Sequence, residues 1–347
     1  MTRTRKDDHL HYARTLTTFN DSDFNQIKLI HQSIPKYNLT DIDLSTSFAK
    51  QQFKLPLYIN AMTGGSRNGQ ILNQKLAIIA KELNLPMALG SASITLKDKE
   101  TLKSFTIARK ENPNGFLMAN LGVEHPLEHF QAVIESLEAN AIQVHLNVMQ
   151  ELLMPEGDKE FNHWQENLAN LLAKIDIPII IKEVGFGMSQ ETLKTLVNLG
   201  AKTIDVSGTG GTNFAAIENA RSSQPKEEFN HWGLSTPISL LESITVQDQV
   251  EILASGGINT PLKAIKSLAL GAKSVGLAGY VLNELSHHNV ETTIQHLQTF
   301  IDDLKIAMVA LNAKNMTELK AVPIVLHPNL LSWCKQRQIP YSRPIIN

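Results

Sequence analysis

The amino-acid sequence predicts an α/β fold, a (β/α)8 TIM barrel with an N-terminal cap segment and a C-terminal helical extension, on three observations. Eight short apolar segments alternate with seven helix-length patterns between residues 57 and 277, the order that parallel barrels produce. Several of the segments are runs of apolar, often β-branched residues without polar alternation, as strands buried on both faces require. Their C-terminal ends repeatedly carry small and hydroxylic residues, and that is the end at which such barrels bind ligands. A doubly wound open sheet is the alternative that the same alternation permits.

Residues 1–55 read as polar and irregular, with a short amphipathic helix expected near 24–30 and a break at Pro35. They form a cap rather than a domain. Within them Arg5, Lys6 and His9 group three candidate phosphate ligands, against the alternative of a solvated basic tail. Strands are expected at 57–62, 87–90, 115–120, 141–147, 178–183, 203–207, 250–254 and 274–277. Helices are expected at 69–84, 97–110, 126–140, 160–174, 189–199, 235–245 and 260–270. Ser189 with Thr192, and Thr260-Pro261, carry helix-start chemistry, whereas Gly200 and Gly271 carry stop chemistry. Residues 290–312 read as a long amphipathic helix that closes the outer ring, and 317–347 as an extension without legible chemistry. The chain is therefore read as one domain over 1–347: a cap or lid at 1–55, a barrel core at 56–285, and a closing helix with extension at 286–347. A long polar insertion at 213–234, after the sixth strand, falls on the ligand-binding face as a lid or subunit contact.

The composition sets limits on partners. With 42% hydrophobic and 19% charged residues the chain can bury a large core. A net charge of -2 gives no overall positive field for nucleic acid or an anionic membrane, so any anion must be held locally. The one cysteine, Cys334, excludes an intramolecular disulfide and is favoured as a buried structural thiol. The charged N-terminus lacks a signal-peptide core and no apolar run reaches spanning length, so a cytoplasmic protein is expected.

The chemistry gathers at strand ends. Ile177-Pro-Ile-Ile-Ile-Lys-Glu-Val-Gly-Phe-Gly187 carries Lys182 into a glycine-rich exit; the alternative is a lysine that snorkels to water. Gly256-Gly257 after the seventh strand and Ala278-Gly279 after the eighth match the phosphate site that barrels build from these two loops, with backbone N–H groups as donors. On the fourth strand the period of two puts His145 and Asn147 on one face, with Gln150 and Glu151 following in the loop. Glu151 suits a hard divalent ion such as Mg2+, which takes one or two protein carboxylates and completes its shell with water and phosphate oxygens. A solvent-facing glutamate is the alternative.

Together these stretches resemble the type 2 isopentenyl-diphosphate isomerase family. The resemblance rests on Arg5-Lys6-x-x-His9, Asn60-Ala-Met-Thr-Gly-Gly65, His145-Leu-Asn-Val-Met-Gln-Glu151, Ile181-Lys-Glu-Val-Gly-Phe-Gly187, Asp205-Val-Ser-Gly-Thr-Gly-Gly-Thr-Asn-Phe214, Trp232-Gly-x-x-Thr236 and Ala254-Ser-Gly-Gly257. It implies FMN as cofactor, Mg2+ as metal, NADPH as reductant, and interconversion of isopentenyl and dimethylallyl diphosphate. By position it implies that Ala61, Met62, Thr63, Ser91, Asn120, Lys182, Ser207 and Thr212 line the flavin, with its phosphate on Gly256, Gly257, Ala278 and Gly279. Arg5, Lys6, His9, Ser93, His145, Asn147 and Gln150 would hold the small-molecule diphosphate, and Glu151 the metal. Relatives commonly carry arginine where Gly279 stands, which leaves backbone amides as the donors at that point. Because glutamine does not titrate and Glu151 would hold the metal, the proton exchange is assigned to the reduced flavin, with Gln150 orienting or shuttling and Lys182 favouring the anionic form. Gln150 and Lys182 are thus the two catalytic candidates, and a homotetramer or homo-octamer is the implied assembly. An FMN-dependent 2-hydroxyacid oxidase or dihydroorotate-type oxidoreductase is the nearest rival; a noncatalytic phosphate-ligand sensor is a rival from another class.

Overall fold

The computed structural model describes residues 5–16, 19 and 22–341, the side chains of Arg5, Lys6 and Ser22 excepted. Twelve strands are present among these residues: β1 Ile27–Leu29, β2 Thr46–Phe48, β3 Gln51–Phe53, β4 Leu57–Ile59, β5 Met87–Ala88, β6 Leu117–Gly122, β7 Ala141–Leu146, β8 Ile179–Glu183, β9 Thr203–Asp205, β10 Glu251–Ser255, β11 Ser274–Leu277 and β12 Ile324–Leu326. Strands β4 to β11 form a closed parallel barrel, each expected strand segment supplying one strand. The pairing of Val275 with Leu57, which joins β11 to β4, closes the ring and rules out the open sheet.

Local chemistry explains the outer helices. Ser189 accepts the N–H of Thr192, and Thr260 that of Lys263, each satisfying a donor that the first helical turn leaves without a partner. Proline follows Thr260 at the first turn, where its missing N–H costs nothing. The apolar faces of these helices then pack on the strands in one continuous core. A second, smaller core fills the barrel's lower interior with Tyr58, Met118, Ile180 and Leu253. Phe48 plugs it from the β2–β3 hairpin, whose two turn residues, Ala49 and Lys50, both have positive φ, as a tight hairpin turn requires.

The segments outside the barrel differ from expectation. Residues 5–16 form a helix rather than an irregular tail, and Leu10 is buried in the main core. The helix expected near 24–30 is a single turn, Ser22–Asn25, followed by β1. β1 pairs antiparallel with β12, so Ile27 faces Leu326 almost 300 residues along the chain; local periodicity cannot reveal such a partner. The C-terminal extension accordingly holds a strand as well as helices. Its last helix, Pro328–Gln336, is anchored on buried Glu242, which accepts from Trp333 Nε1 at 2.7 Å and from Arg337 Nε at 3.0 Å. Residues 97–110 contain a 3-10 turn before the helix Lys103–Glu111. Cys334 is buried, and burial together with the Glu242 charge pushes its thiol up to about 11. The insertion after β9 folds into the helix Phe214–Arg221 and a 3-10 turn, Glu227–His231.

Candidate active site

A cleft of about 1560 Å3, its open mouth included, occupies the C-terminal face of the barrel. Every expected site residue whose side chain is described lines it: His9, Ala61, Met62, Thr63, Ser91, Ser93, Asn120, His145, Asn147, Gln150, Glu151, Lys182, Ser207, Thr212, Gly256, Gly257, Ala278 and Gly279. The side chains of Arg5 and Lys6 lie outside the described part of the chain.

The floor is built by β8 and β9, whose register places Lys182 beside Asp205. Lys182 is buried; its Nζ donates to the Glu183 carbonyl at 2.5 Å and to Ser207 Oγ at 3.3 Å. Burial pushes its pKa down, and the charges of Asp205 and Glu183 counter part of that push. Asp205 gathers donors from four residues: Tyr58 Oη at 2.7 Å, Ser255 Oγ at 2.8 Å, Asn60 Nδ2 at 3.0 Å and the Ser207 N–H at 3.1 Å. The last of these holds Ser207 at φ +35°, in a region uncommon for a residue with a Cβ. Glu183 accepts the N–H groups of Gly185 and Gly187 and so shapes the loop that follows. Its own burial raises its carboxyl to about 7 despite the N–H groups of Phe186 and Gly185 and the Lys182 charge.

The opposite wall carries the polar side chains of β7 and the helix Val148–Leu153. Gln150 Nε2 donates to Glu218 Oε1 at 2.9 Å, and His9 Nε2 reaches the same oxygen at 3.0 Å. Arg221 pairs with the second Glu218 oxygen and, at 2.9 Å, with Glu156. Burial alone would raise the Glu218 pKa, but His9, Gln150 and Arg221 outweigh it and hold the carboxylate below its ordinary range. Glu151 accepts from Asn147 Nδ2 at 2.7 Å and from the Asp158 N–H at 2.8 Å, one bond to each oxygen. Nearby Glu124 is raised to about 7 by burial, with the charges of Glu151 and Asp158 adding to the effect. The N-terminal helix rims this wall. Asp7 accepts from Ser66 Oγ at 2.9 Å, and Tyr12 Oη donates to the Ala220 carbonyl at 3.4 Å.

Glycines bring the loops together at the far end. Gly256 has φ +92°, and a Cβ there would lie 2.0 Å from the Gly208 carbonyl oxygen, so the loops after β9 and β10 touch backbone to backbone. Gly279 opens the helix Gly279–His287, whose first N–H groups have no intrahelical acceptor. A wide cleft with hydroxyls, a buried cation on the floor and a glycine cradle at a helix start is a donor set that fits a flavin mononucleotide. A carboxylate with spare lone pairs beside open polar space fits a hard divalent ion.

Comparison with known proteins assigns this architecture to a family. A family profile described as FMN-dependent dehydrogenase matches residues 97–325. The isopentenyl-diphosphate delta-isomerase of Staphylococcus aureus strain Newman is 43% identical over 340 residues, covering 98% of this chain and 97% of that protein. The protein of strain JH9 gives the same identity and coverage. The chain belongs to the FMN-dependent, type 2 isopentenyl-diphosphate isomerases. Solved structures of mandelate oxidase with (S)-2-phenylpropionate and with benzoyl-formic acid share the isomerase's fold, with TM-scores of 0.63 and 0.62. Each covers 92% of this chain and 90% of its own, at 18% and 17% identity.

Sequence reasoning missed two acidic residues at this cleft: Glu124, which lines it, and Glu218, which bonds Gln150 in its wall. Glu218 lies in the insertion expected as a lid or subunit contact, and no spacing ties it to Gln150. Glu124 follows β6, 3.3 Å from its sequence neighbour His125. Away from the cleft, Glu284, His288 and His296 offer ligand atoms within 4.8 Å of one another, a cluster that does not include Glu151. Among the described residues no helix is long and apolar enough to cross a membrane.

Proposed function

We propose that the chain interconverts isopentenyl and dimethylallyl diphosphate in isoprenoid metabolism, with FMN on the Lys182 side of the cleft and the diphosphate on the Gln150 side. The observation that carries this reading is the 43% identity that runs through 98% of the chain. Reduced FMN, when bound, supplies the acid and base for allylic proton exchange. Lys182 holds a positive charge at the floor, where it favours an anionic ring system. Ala61, Met62, Thr63, Ser91, Asn120, Ser207 and Thr212 line that region, and the backbone of Gly256, Gly257, Ala278 and Gly279 receives the flavin phosphate. His9, Ser93, His145 and Asn147 bind the diphosphate, joined by Arg5 and Lys6 from the N-terminal segment. Glu151 holds Mg2+ against the phosphate oxygens. Gln150, aligned by Glu218, orients the reacting carbons and excludes water from them. NADPH is the proposed reductant. The assembly is a homotetramer or homo-octamer in a cytoplasmic setting, each chain acting as one unit of cap 1–55, barrel 56–285 and extension 286–347.

Among the described residues lining the cleft there is no arginine, the side chain that a hydroxyacid oxidase would use for its substrate carboxylate. The deciding assay is anaerobic turnover of isopentenyl diphosphate with FMN, Mg2+ and NADPH. Formation of dimethylallyl diphosphate is the expected result. Turnover of a 2-hydroxyacid instead would overturn the reading in favour of the oxidase, and a colourless protein that takes up no FMN would favour a phosphate-ligand sensor.

A further inference from the structure

A hydrogen-bond chain runs beneath the cleft from Asp205 to His145, and its sense is set by groups that cannot reverse. Asn60 Nδ2 donates to Asp205 at 3.0 Å. The Asn60 side chain cannot turn over, because its Oδ1 accepts the Ala61 backbone N–H at 2.8 Å, and a backbone N–H only donates. The same Oδ1 accepts from Gln143 Nε2 at 3.1 Å. Gln143 must therefore present its oxygen to Asn120, whose Nδ2 donates to it at 2.9 Å. Asn120 then has its oxygen facing His145 Nδ1, 2.7 Å away, and that ring nitrogen carries the hydrogen. Asn60 and Asn120 are buried at the cleft floor, whereas Gln143 and Asp205 lie wholly below it, so no water reaches the Gln143 link without entering the core.

We propose that Gln143 is a positioning residue that sets the tautomer of His145, with Nδ1–H toward Asn120. This deepens the function proposed above and rests on its assignment of His145 to the substrate diphosphate. Gln143 does not line the cleft and acts through Asn120. The sense of the chain decides what the ring can become. With an amide oxygen at Nδ1, His145 can take a second proton at Nε2 and meet a phosphoryl oxygen as a charged donor. If Asn120 were reversed, its NH2 group would face Nδ1 and require a lone pair there, and the ring would be confined to its neutral form.

Two substitutions separate the sense of the chain from simple packing. Gln143→Leu removes the acceptor for Asn120 and frees it to reverse. Gln143→Glu keeps the original sense in its neutral form, the acid hydroxyl donating to Asn60 Oδ1 in place of Nε2 and the carbonyl oxygen accepting from Asn120. The measurement is long-range 15N–1H correlation of the FMN-loaded enzyme without substrate, with the His145 signals assigned through His145→Asn. Wild type and Gln143→Glu are expected to show Nδ1–H, and Gln143→Leu a substantial population of Nε2–H. The KM for isopentenyl diphosphate should rise about tenfold in Gln143→Leu, with kcat changing less and Gln143→Glu staying within about threefold of wild type. If Gln143→Leu fails to fold, Gln143→Met, with its close match in volume, takes its place. An unchanged tautomer in the apolar variant, or equal shifts in both variants, would overturn the proposal. A tautomer switch with KM unmoved would support the role of Gln143 and overturn the assignment of His145 to the diphosphate.

Discussion

Gln150 and Glu218 stand 68 residues apart in sequence, yet their side chains meet at 2.9 Å in the wall of the cleft. An uncharged amide that cannot titrate is thereby tied to a buried carboxylate, which His9 and Arg221 hold ionised. Glu218→Gln keeps the shape and removes the charge that aligns all three partners. Turnover is expected to fall about 100-fold or more, the scale of a lost acid–base or orienting group, while FMN content stays near stoichiometric. Full turnover in this variant would reduce Glu218 to a brace for the insertion.

The N-terminal helix contributes His9 to that same carboxylate and docks through Asp7 and Leu10. Deleting residues 1–9 removes His9 along with Arg5 and Lys6 and leaves Glu218 to Arg221 and Gln150. The KM for the diphosphate should rise about tenfold or more, about 1.4 kcal/mol, without loss of bound FMN. Steady-state kinetics of the truncated protein test this, and an unchanged KM would take the helix out of the site.

Glu151 shares its two oxygens between Asn147 and the Asp158 N–H, on the wall opposite Lys182. Glu151→Gln halves its acceptor capacity and removes its charge. More Mg2+ should then be needed for half-maximal activity, with lower turnover at saturation and an unaltered flavin absorption spectrum. Loss of the flavin on this substitution would argue against separate metal and flavin sites.

Acid should loosen the C-terminal helix before the barrel. Burial by itself raises the Glu242 pKa, but bonds from Arg337, the Gln190 N–H and Trp333 more than compensate, so the folded value lies below the ordinary one. A depressed carboxylate stabilises the fold fully above its unfolded pKa of about 4.3, and that contribution is lost as pH falls through the lower folded value. Thermal melts from pH 7 to pH 3 should show Glu242→Gln well below wild type at neutral pH, with the gap closing below about pH 4. A gap that stays constant over the whole range would mean that packing, not charge, anchors the helix.

The barrel was legible because each strand and helix declares itself within a dozen residues. In β8 the apolar run is continuous because both faces are covered, and Lys182 breaks it at the end where the cleft begins. The helix starts at Ser189 and Thr260 were equally readable, since a capping hydroxyl and its N–H partner sit three residues apart. His145 was placed by strand alternation, whereas Asn147, Gln150 and Glu151 reach the same wall from the start of the helix Val148–Leu153, where a loop was expected.

What the sequence determined alone is therefore the set of short-range relations: the strand and helix alternation, the glycine exits, the polar run after His145 and the resemblance they jointly carry. Only the tertiary structure decided that 27–29 is a strand, because its partner β12 lies at the other end of the chain. It likewise decided that Glu218 completes the Gln150 wall and that Gln143 links Asn60 to Asn120. The reason is physical. Backbone hydrogen bonding and amphipathic burial repeat with a short period along the chain and leave a local pattern. The partner of a buried polar side chain is chosen by how loops close around the barrel, and no spacing in the sequence records that choice.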